Sequence, residues 1–439
     1  MMRKYIILLV GTVFLGSQLL AIPTPLAQIT PYRLLVVGLL AILLYQLYKG
    51  DPNLQIVPNN NATIIVSIFL FWWCWGAISA VWTLSFINWF HAMFLLTLGV
   101  SSIIGLYLWV SDFVLWANII RTMWVMMSLL ALWGLYEILT NNYIFADLTL
   151  LDKNQTFASQ PSTRIPITTF ANQNDYATLL LASLPVNIIM FNLDRHSLRR
   201  YLYFLPILLT SFLIYRSDSR MILFSIALFS IFIFLLQFRF DFKAKQIYIG
   251  LFSFIALVVA VLVFVPSIRE TISQLYYVAG DFFNTGDSRR MNLWRNGLIF
   301  LAETYGLGLG AGNIEVWMDR MAFLSVDEFT NIHNWWLEIL VGYGVIVFIL
   351  YVIAYILMFK SLNKLRYHDS DVIRQIAISF MAFLIVYIFA SITSANNMLI
   401  EWHWVFFGVI ISFIKIMESG YTLNSRIERN NYEFSDNNK

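Results

Sequence analysis

Long apolar runs separated by short polar segments dominate the chain as far as residue 418. Each run has about the 20 residues that a helix needs to cross the hydrocarbon core of a bilayer. We therefore predict an all-α polytopic membrane protein whose residues 1–418 form a single transmembrane domain of about twelve helices. The predicted spans are 5–22, 32–48, 62–82, 90–110, 113–139, 176–193, 200–216, 220–238, 246–266, 333–359, 373–393 and 398–418.

Two polar segments are too long to be simple turns between spans. Residues 140–175 are rich in Asn, Thr, Gln and Ser, and residues 267–332 form the longest polar stretch of the chain. Long segments of this kind in compact proteins are often functional. Within the second segment, an amphipathic pattern predicts a short helix from about Ser288 to about Thr304. Residues 419–439 form a separate polar tail.

The composition agrees with a membrane protein, because 59% of the residues are hydrophobic and only 12% are charged. The net charge of +3 matters less than its distribution. If the N-terminus is cytoplasmic, most of the 28 Lys and Arg residues fall in short cytoplasmic segments, as the positive-inside rule requires. This topology places residues 140–175 and 267–332 outside the cell membrane and the tail inside. The working face is therefore predicted to be extracytoplasmic.

Metal and redox chemistry receive no support from the residues of the outer segments. The single cysteine, Cys74, excludes an intramolecular disulfide. The outer segments contain no Asp-x-Asp pair and no group of His and carboxylate residues at metal-ligand spacing. We therefore predict no metal and no cofactor.

Arginines on the predicted outer side are candidates for binding an anion. Arg216 and Arg220 are four residues apart in a short link between two spans, and Arg289 and Arg290 begin the amphipathic helix. A guanidinium group is a planar fork that matches phosphate oxygens. The alternative is that these arginines only anchor the spans at the membrane interface.

His333 is the candidate proton acceptor. It stands with Asn334 where the second polar segment enters an apolar run, and Glu338 follows about one and a half helical turns later. Imidazole accepts protons near neutral pH, and a carboxylate is able to orient it. The alternative is an interfacial histidine held by hydrogen bonds.

Two further motifs have a structural and a functional interpretation. Asn172 and Asn174 precede the sixth span, where they either contact substrate or cap a helix. The segment from Gly306 to Gly312 superficially matches a dinucleotide fingerprint, but no strand precedes it. We interpret this segment as a close-packed turn that lets the backbone approach a ligand.

Taken in order, these motifs resemble those of the O-antigen ligase and Wzy polysaccharide-polymerase superfamily. The resemblance covers residues 170–345. Gln173 stands where the family usually has proline, and Met221 where it often has a small residue. The matching motifs are Phe170-Ala-Asn172-Gln-Asn174-Asp-Tyr-Ala177, Ser217-Asp-Ser219-Arg220, Arg290-Met-Asn-Leu-Trp294, Gly306-Leu-Gly308-Leu-Gly310-Ala-Gly312-Asn313 and His333-Asn334-Trp-Trp-Leu337-Glu338-Ile-Leu-Val-Gly342-Tyr-Gly344.

The resemblance implies a GT-C-like membrane fold and a metal-independent, inverting glycosyl transfer at the outer face of the cytoplasmic membrane. The implied donor is a glycan on undecaprenyl diphosphate. Arg220 and Arg290 would hold the diphosphate, and His333 would activate or position the acceptor hydroxyl with support from Asn334 and Glu338. Implied substrate contacts also include Arg216, Arg289, Asn172 and Asn174.

Three functions are compatible with this site. The favoured one is a polymerase that joins lipid-linked repeat units into an O-antigen, a capsule or an exopolysaccharide, working with a flippase and a chain-length regulator. A ligase that moves a finished glycan to a lipid or wall acceptor needs the same chemistry. A transporter of lipid-linked glycans is less favoured, because transporters usually place polar residues at the membrane midplane and often show inverted repeats. In this chain the polar residues crowd one face, and no repeat is visible.

Overall fold

The computed structural model of the protein describes residues 1–16, 19–24, 28–50, 60–152, 154–194, 198–238, 288–326, 330–392 and 400–436. Within these ranges the chain forms helices, turns and loops, with no β-strand and one isolated bridge between Ile22 and Ile29. The all-α prediction is confirmed for this part of the chain. The α-helices are α1 Met2–Val13, α2 Pro31–Lys49, α3 Asn61–Ile78, α4 Phe86–Trp109, α5 Phe113–Thr140, α6 Leu148–Leu151, α7 Gln173–Leu193, α8 Phe204–Arg216, α9 Arg220–Leu235, α10 Ser288–Glu303, α11 Ile314–Met321, α12 Trp335–Leu365, α13 Asp371–Ala390 and α14 Glu401–Asp436.

Polar residues fix the starting points of the long helices. Their side-chain oxygens accept hydrogen bonds from backbone N–H groups two or three residues later, which satisfies donors that a helix start leaves unpaired. The boundaries therefore fall where a small polar residue precedes an apolar run. These capping residues are Thr30 for α2, Asn60 for α3, Ser85 for α4, Asp112 for α5, Asn172 for α7 and Asn334 for α12.

Eight of the described helices are long and apolar enough to cross a membrane. They match eight predicted spans to within a few residues, so the chain is a multi-pass membrane protein. These helices are α2, α3 with the following 3-10 turn Ser79–Val81, α4, α5, α7, α12, α13 and the Glu401–Gly420 part of α14.

Three of the remaining predicted spans fall on shorter helices. Helices α1, α8 and α9 have 12, 13 and 16 residues, fewer than the roughly 20 that cross a bilayer. The first predicted span, 5–22, is wrong in extent, because the helix ends at Val13 and the chain turns at Gly16, whose φ is 71°. The predicted span 246–266 lies outside the described residues. The total of twelve therefore stays a prediction.

The helices pack around one core. Helix α14 lies against α4, helix α12 lies against α3, and α13 lies between α7 and α9. At the start of α12, buried aromatic rings interlock, and the indole N–H of Trp335 donates to the Tyr351 hydroxyl at 2.9 Å. Trp335 also packs on Trp72 and Trp404, with ring centroids 5.8 Å and 6.0 Å apart. The first turn of α12 is therefore rigidly anchored.

The described parts of the two long polar segments and the link between α8 and α9 lie at the same end of the bundle. We call this the loop end and define it by residues 140–152, 154–172, 217–219, 288–326 and 330–334. The Arg216 guanidinium joins the link to the first segment by donating to the Pro161 carbonyl oxygen at 2.8 Å. The Ser85 N–H joins the α3–α4 connection to the second segment by donating to Asn313 Oδ1 at 2.8 Å.

The opposite end of the bundle is held by contacts of its own. Arg3 at the start of α1 forms an ion pair with Asp112 at the start of α5, at 2.6 Å. The Asn61 side-chain amide donates to Ser361 Oγ at 2.8 Å, which joins the start of α3 to the end of α12. The start of α1, the starts of α3 and α5 and the end of α12 therefore lie away from the loop end.

The second polar segment folds onto α12 through a small core of its own. This core contains Leu293 and Phe300 of α10, Met318 of α11 and Val341 of α12. The buried Asn296 pins the segment, because its side chain accepts from the Leu324 N–H at 2.9 Å and donates to the Leu324 carbonyl at 2.8 Å. The amphipathic helix predicted from about Ser288 to Thr304 is confirmed as α10.

The glycine-rich segment 306–312 packs against a break in α12. At Gly344 the backbone leaves the helical conformation, with φ 88° and ψ 175°. There the Val345 N–H donates to the Gly306 carbonyl at 2.9 Å, and the Gly310 N–H donates to the Gly342 carbonyl at 3.0 Å. The predicted close-packed turn is therefore present. Its observed partner is another part of the backbone, whereas a ligand had been expected.

This contact predicts that Gly308→Ala destabilises the protein. A Cβ at residue 308 would lie 2.5 Å from the Gly344 backbone nitrogen, and the φ of 89° is one that side chains rarely adopt. We expect a loss of at least about 3 kcal/mol, measured as a lower thermal midpoint in detergent. The matched control is Gly342→Ala, whose Cβ meets nothing closer than Ile314 Cδ1 at 3.5 Å. Equal midpoints for the two variants would contradict this packing.

Candidate active site

The starts of α9 and α12, which carry predicted site residues, both pack against the final turns of α13. The Trp335 N–H, at the start of α12, donates to the Ser391 carbonyl at 3.1 Å. The neighbouring Trp336 indole donates to the Ile388 carbonyl at 3.2 Å. From the α9 side, Phe224 packs edge-on against Phe389 with ring centroids 6.3 Å apart. The starts of α9 and α12 thus lie around one helix end.

His333 has an uncommon backbone conformation. Its φ is 47°, in the left-handed region that residues other than glycine seldom adopt, with asparagine, aspartate and histidine the most frequent among them. The His333 N–H donates to Asn331 Oδ1 at 2.8 Å, and the side chain is half-buried. The Asn334 side chain caps α12 by accepting from the N–H groups of Trp336 and Leu337. Conformations of this kind concentrate at functional sites, and here the cap and the aromatic core maintain one.

Arg290 lies on the helix that contacts the residue before His333. The Trp294 indole N–H donates to the carbonyl of Ile332, the residue before His333, at 3.0 Å. Arg290 is one turn earlier on the same face of α10, and one turn is about 5.4 Å of rise. Its side chain is half-buried. The backbone of Arg289 is helical, and its side chain lies outside the described residues.

Arg220 and Arg216 occupy different positions on the link between α8 and α9. Arg220 is the exposed first residue of α9, one turn before Phe224. Asp218, two residues earlier, has a φ of 55° and turns the chain at this point. Arg216 donates from Nη2 to the carbonyl oxygens of Pro161 and Arg164, at 2.8 Å and 2.9 Å. Arg216 therefore holds the first polar segment in place.

The first motif reaches the same region from α7. Asn172 caps α7 by accepting from the Asp175 N–H at 3.0 Å and donates to the Asp175 carboxylate at 2.7 Å. Asn174 lies in the first turn, where its carbonyl accepts from the Thr178 hydroxyl at 2.8 Å. The buried Tyr387 of α13 lies within electrostatic range of both Asp175 and Glu338. The starts of α7 and α12 therefore both lie near the end of α13.

Two buried charged residues that the sequence analysis did not identify fix the first polar segment. Glu137, near the end of α5, accepts from the N–H groups of Ile167 and Thr168, both at 2.9 Å. Arg164 donates to the carbonyls of Phe157 and Ile138, each at 2.8 Å. No local motif marks these residues, because their partners are up to 31 positions away in the chain.

The protonated hydroxyl of Tyr143 donates a hydrogen bond within the first polar segment. Its hydroxyl donates to the Ile165 carbonyl at 3.0 Å. Burial raises the pKa of the Tyr143 hydroxyl, and the nearby Glu137 carboxylate raises it further. The group therefore remains protonated at neutral pH and keeps its contact with the segment.

The starts of α7, α9 and α12 are all at the loop end, and the positive ends of their dipoles point there. Arg220, at the start of α9, and Arg290, in the first turn of α10, add full positive charges at this end of the bundle. The described arrangement thus combines an electropositive region, which suits a phosphorylated ligand, with an imidazole that is able to accept a proton.

A cavity of about 220 Å³ lies beside the first turns of α12. Its wall is formed by α4, by the start of α11 with the end of the glycine-rich segment, and by α12. Glu338 and Tyr343 line it from α12, and Asn331 lines it from the segment just before His333. The predicted site residues therefore border two distinct regions, one electropositive and one acidic.

Comparison with known proteins bears on this arrangement. A family model described as O-antigen ligase matches residues 205–352. The teichuronic acid biosynthesis protein TuaE of Bacillus subtilis (strain 168) is 24% identical over 425 residues, which cover 94% of this chain and 84% of that protein. These matches confirm the resemblance to the O-antigen ligase and Wzy superfamily.

The part of the chain that matches the O-antigen ligase model runs from α8 into α12. It includes Arg216, Arg220, Arg289, Arg290, His333, Asn334 and Glu338, and it ends after the Gly344 break. Asn172 and Asn174 lie before it, so their link to the site depends on the packing of α7 against α13.

Proposed function

We propose that the protein is a polymerase that joins undecaprenyl-diphosphate-linked repeat units into a surface polysaccharide at the outer face of the cytoplasmic membrane. One observation carries the proposal: the helix that bears Arg290 contacts the residue before His333, and the helix that bears Arg220 packs on the same end of α13 as the start of α12. The match to the O-antigen ligase family and the similarity to a teichuronic acid biosynthesis protein support glycan chemistry.

The proposed reaction is a single inverting transfer. The acceptor hydroxyl oxygen forms a bond to the anomeric carbon of the donor sugar as the bond from that carbon to the diphosphate oxygen breaks. The hydroxyl proton passes to His333, and undecaprenyl diphosphate leaves with the bonding electrons. No metal is required by this scheme, because fixed guanidinium groups stabilise the charge that develops on the diphosphate.

Each arginine has its own proposed role. Arg290 and Arg220 contact the diphosphate, and the dipoles of α9 and α12 add to their field. Arg216 and Arg289 flank them as secondary contacts, with Arg216 also holding the first polar segment. Asn172 and Asn174 at the start of α7 are proposed to contact the glycan, and Asn334 sets the position of His333 through its cap on α12.

The proposed function predicts a specific cellular defect. In a strain that lacks the protein, single lipid-linked repeats should accumulate on the outer face of the membrane, and long surface polysaccharide should disappear from gels. Retention of the repeats inside the cell would indicate a transporter. Long polymer that remains on undecaprenyl diphosphate would indicate a ligase. Either result contradicts the polymerase.

Topology provides an independent test. We expect Gln155→Cys and Ser325→Cys, both exposed at the loop end, to react with an impermeant thiol reagent in intact cells. Ser111→Cys, exposed at the opposite end, should react only after permeabilisation. The background must carry Cys74→Ser, because Cys74 is an exposed free cysteine. The reverse labelling pattern would place the loop end in the cytoplasm and exclude the proposed donor site.

A further inference from the structure

The acidic cavity beside α12 has a chemistry that the donor site does not use. Its volume of about 220 Å³ is below the roughly 300–1,000 Å³ typical of pockets for drug-sized ligands, so it has room for about one ring. Ala92 and Leu95 of α4 and Ile339 of α12 provide apolar wall. Polar side chains lie on several sides of it, and they are Asn88, His91, Glu315, Asn331, Glu338 and Tyr343.

Tyr343 provides the evidence that this cavity receives a polar ligand. Its side chain is only 5% exposed, and its hydroxyl has no hydrogen-bond partner within the part of the chain that the structure describes. The hydroxyl lies within electrostatic range of Glu338. A buried polar group without a partner costs free energy, so a ligand group that accepts from or donates to it gains affinity.

The charge of the cavity restricts the type of ligand. Glu315 and Glu338 line it, and its described lining contains no lysine or arginine. Carboxylates accept hydrogen bonds from hydroxyl groups and repel other carboxylates and phosphates. A ligand with many hydroxyl donors and no negative charge fits this lining, whereas a diphosphate does not.

The position of the cavity ties it to the reacting centre. Asn331, Ile332 and Trp335 line it, and they surround His333 in the chain. Asn331 also joins His333 to the cavity wall. Its Oδ1 accepts from the His333 N–H, and its Nδ2 donates to Glu315 Oε1 at 3.0 Å. A ring bound in the cavity would therefore lie beside the segment that carries His333.

We infer that this cavity binds an uncharged sugar ring of the acceptor and selects against a uronic acid at that position. The inference rests on the proposed function, which requires an acceptor hydroxyl beside His333. Glu315 and Glu338 accept from ring hydroxyls, Tyr343 donates to a ring substituent, and the apolar wall covers one face of the ring. The donor diphosphate stays on the electropositive side of the same turn.

Binding of simple glycosides to the purified full-length protein tests the cavity without requiring any reaction. The probes are two matched pairs, methyl glucoside with methyl glucuronide and methyl galactoside with methyl galacturonide, followed by ligand-observed NMR. We expect at least one neutral glycoside to bind tenfold or more tightly than its carboxylated partner. Glu315→Gln and Tyr343→Phe should each weaken that binding by roughly tenfold. Glu303→Gln, an exposed carboxylate at the end of α10 and outside the cavity, should not.

The outcomes separate this inference from the proposed function. If the wild type makes polymer, and Glu315→Gln and Tyr343→Phe leave both glycoside binding and the KM for the acceptor unchanged, the cavity is not the acceptor site. Absence of glycoside binding, equal binding within each pair, or displacement of the glycoside by a polyprenol overturns the inference as well. If the neutral glycosides bind as expected and the protein makes no polymer, the sugar site stands and the polymerase is rejected.

Discussion

Arg290→Lys is expected to reduce polymer formation by about 100-fold, the loss typical of removing one fixed group that stabilises a transition state. A lysine keeps the positive charge, but it replaces a planar fork by a single point that cannot hold two phosphate oxygens. Arg220→Lys is expected to have a similar effect. Purified variants are compared with the wild type by the rate of elongation of a lipid-linked repeat.

The matched control for Arg290 lies on the same helix. Arg295 is exposed on α10 and lies just after the matched motif Arg290–Trp294, so Arg295→Lys should retain activity close to that of the wild type. If Arg290→Lys and Arg220→Lys both retain full activity, these arginines are interfacial anchors. The diphosphate assignment would then be rejected.

Replacement of His333 is expected to abolish polymer without unfolding the protein. His333→Asn is the sharper variant, because asparagine tolerates the positive φ of 47° better than other side chains do. We expect the thermal midpoint to stay the same or to rise, while activity falls by about 10²–10⁴-fold, as for loss of a general base. Both quantities are measured on the same purified sample.

The pH profile distinguishes a base from a group that only positions the acceptor. A protonated imidazole accepts no proton, so wild-type activity should fall as the medium becomes acidic. His333→Asn should show a low rate without that fall. If His333→Asn retains high activity, or if the wild-type rate does not change with acidity, the histidine is not the base. Leaving-group stabilisation by Arg220 and Arg290 would then carry the catalysis.

Local patterns in the sequence were sufficient for the helices and their caps. The predicted amphipathic helix 288–304 is present as Ser288–Glu303, because its apolar residues recur at helical spacing and Gly306 follows its end. The structural alternative for Asn172 was that it caps a helix, and the structure shows that cap. The first predicted span failed, since hydropathy alone does not detect the turn at Gly16 after Val13.

The sequence alone could not predict contacts between residues that are far apart in the chain. The glycines of segment 306–312 required a close approach, and the sequence could not show that the partner is the break at Gly344. Arg216 suggested an anion site, but its contact with the Pro161 carbonyl, 55 residues away, depends on how the first segment folds. The cavity could not be predicted from the sequence either, because its walls come from three helices that are far apart in the chain, α4, α11 and α12.

The central claim is that the loop end transfers a glycan from a diphosphate carrier. The most direct measurement follows the purified protein with an undecaprenyl-diphosphate-linked repeat unit as the sole substrate, without added metal. We predict one undecaprenyl diphosphate released for each new glycosidic bond, and loss of both products in Arg290→Lys and His333→Asn. Release of the carrier without a new bond, or equal product from these variants and the wild type, would contradict the account.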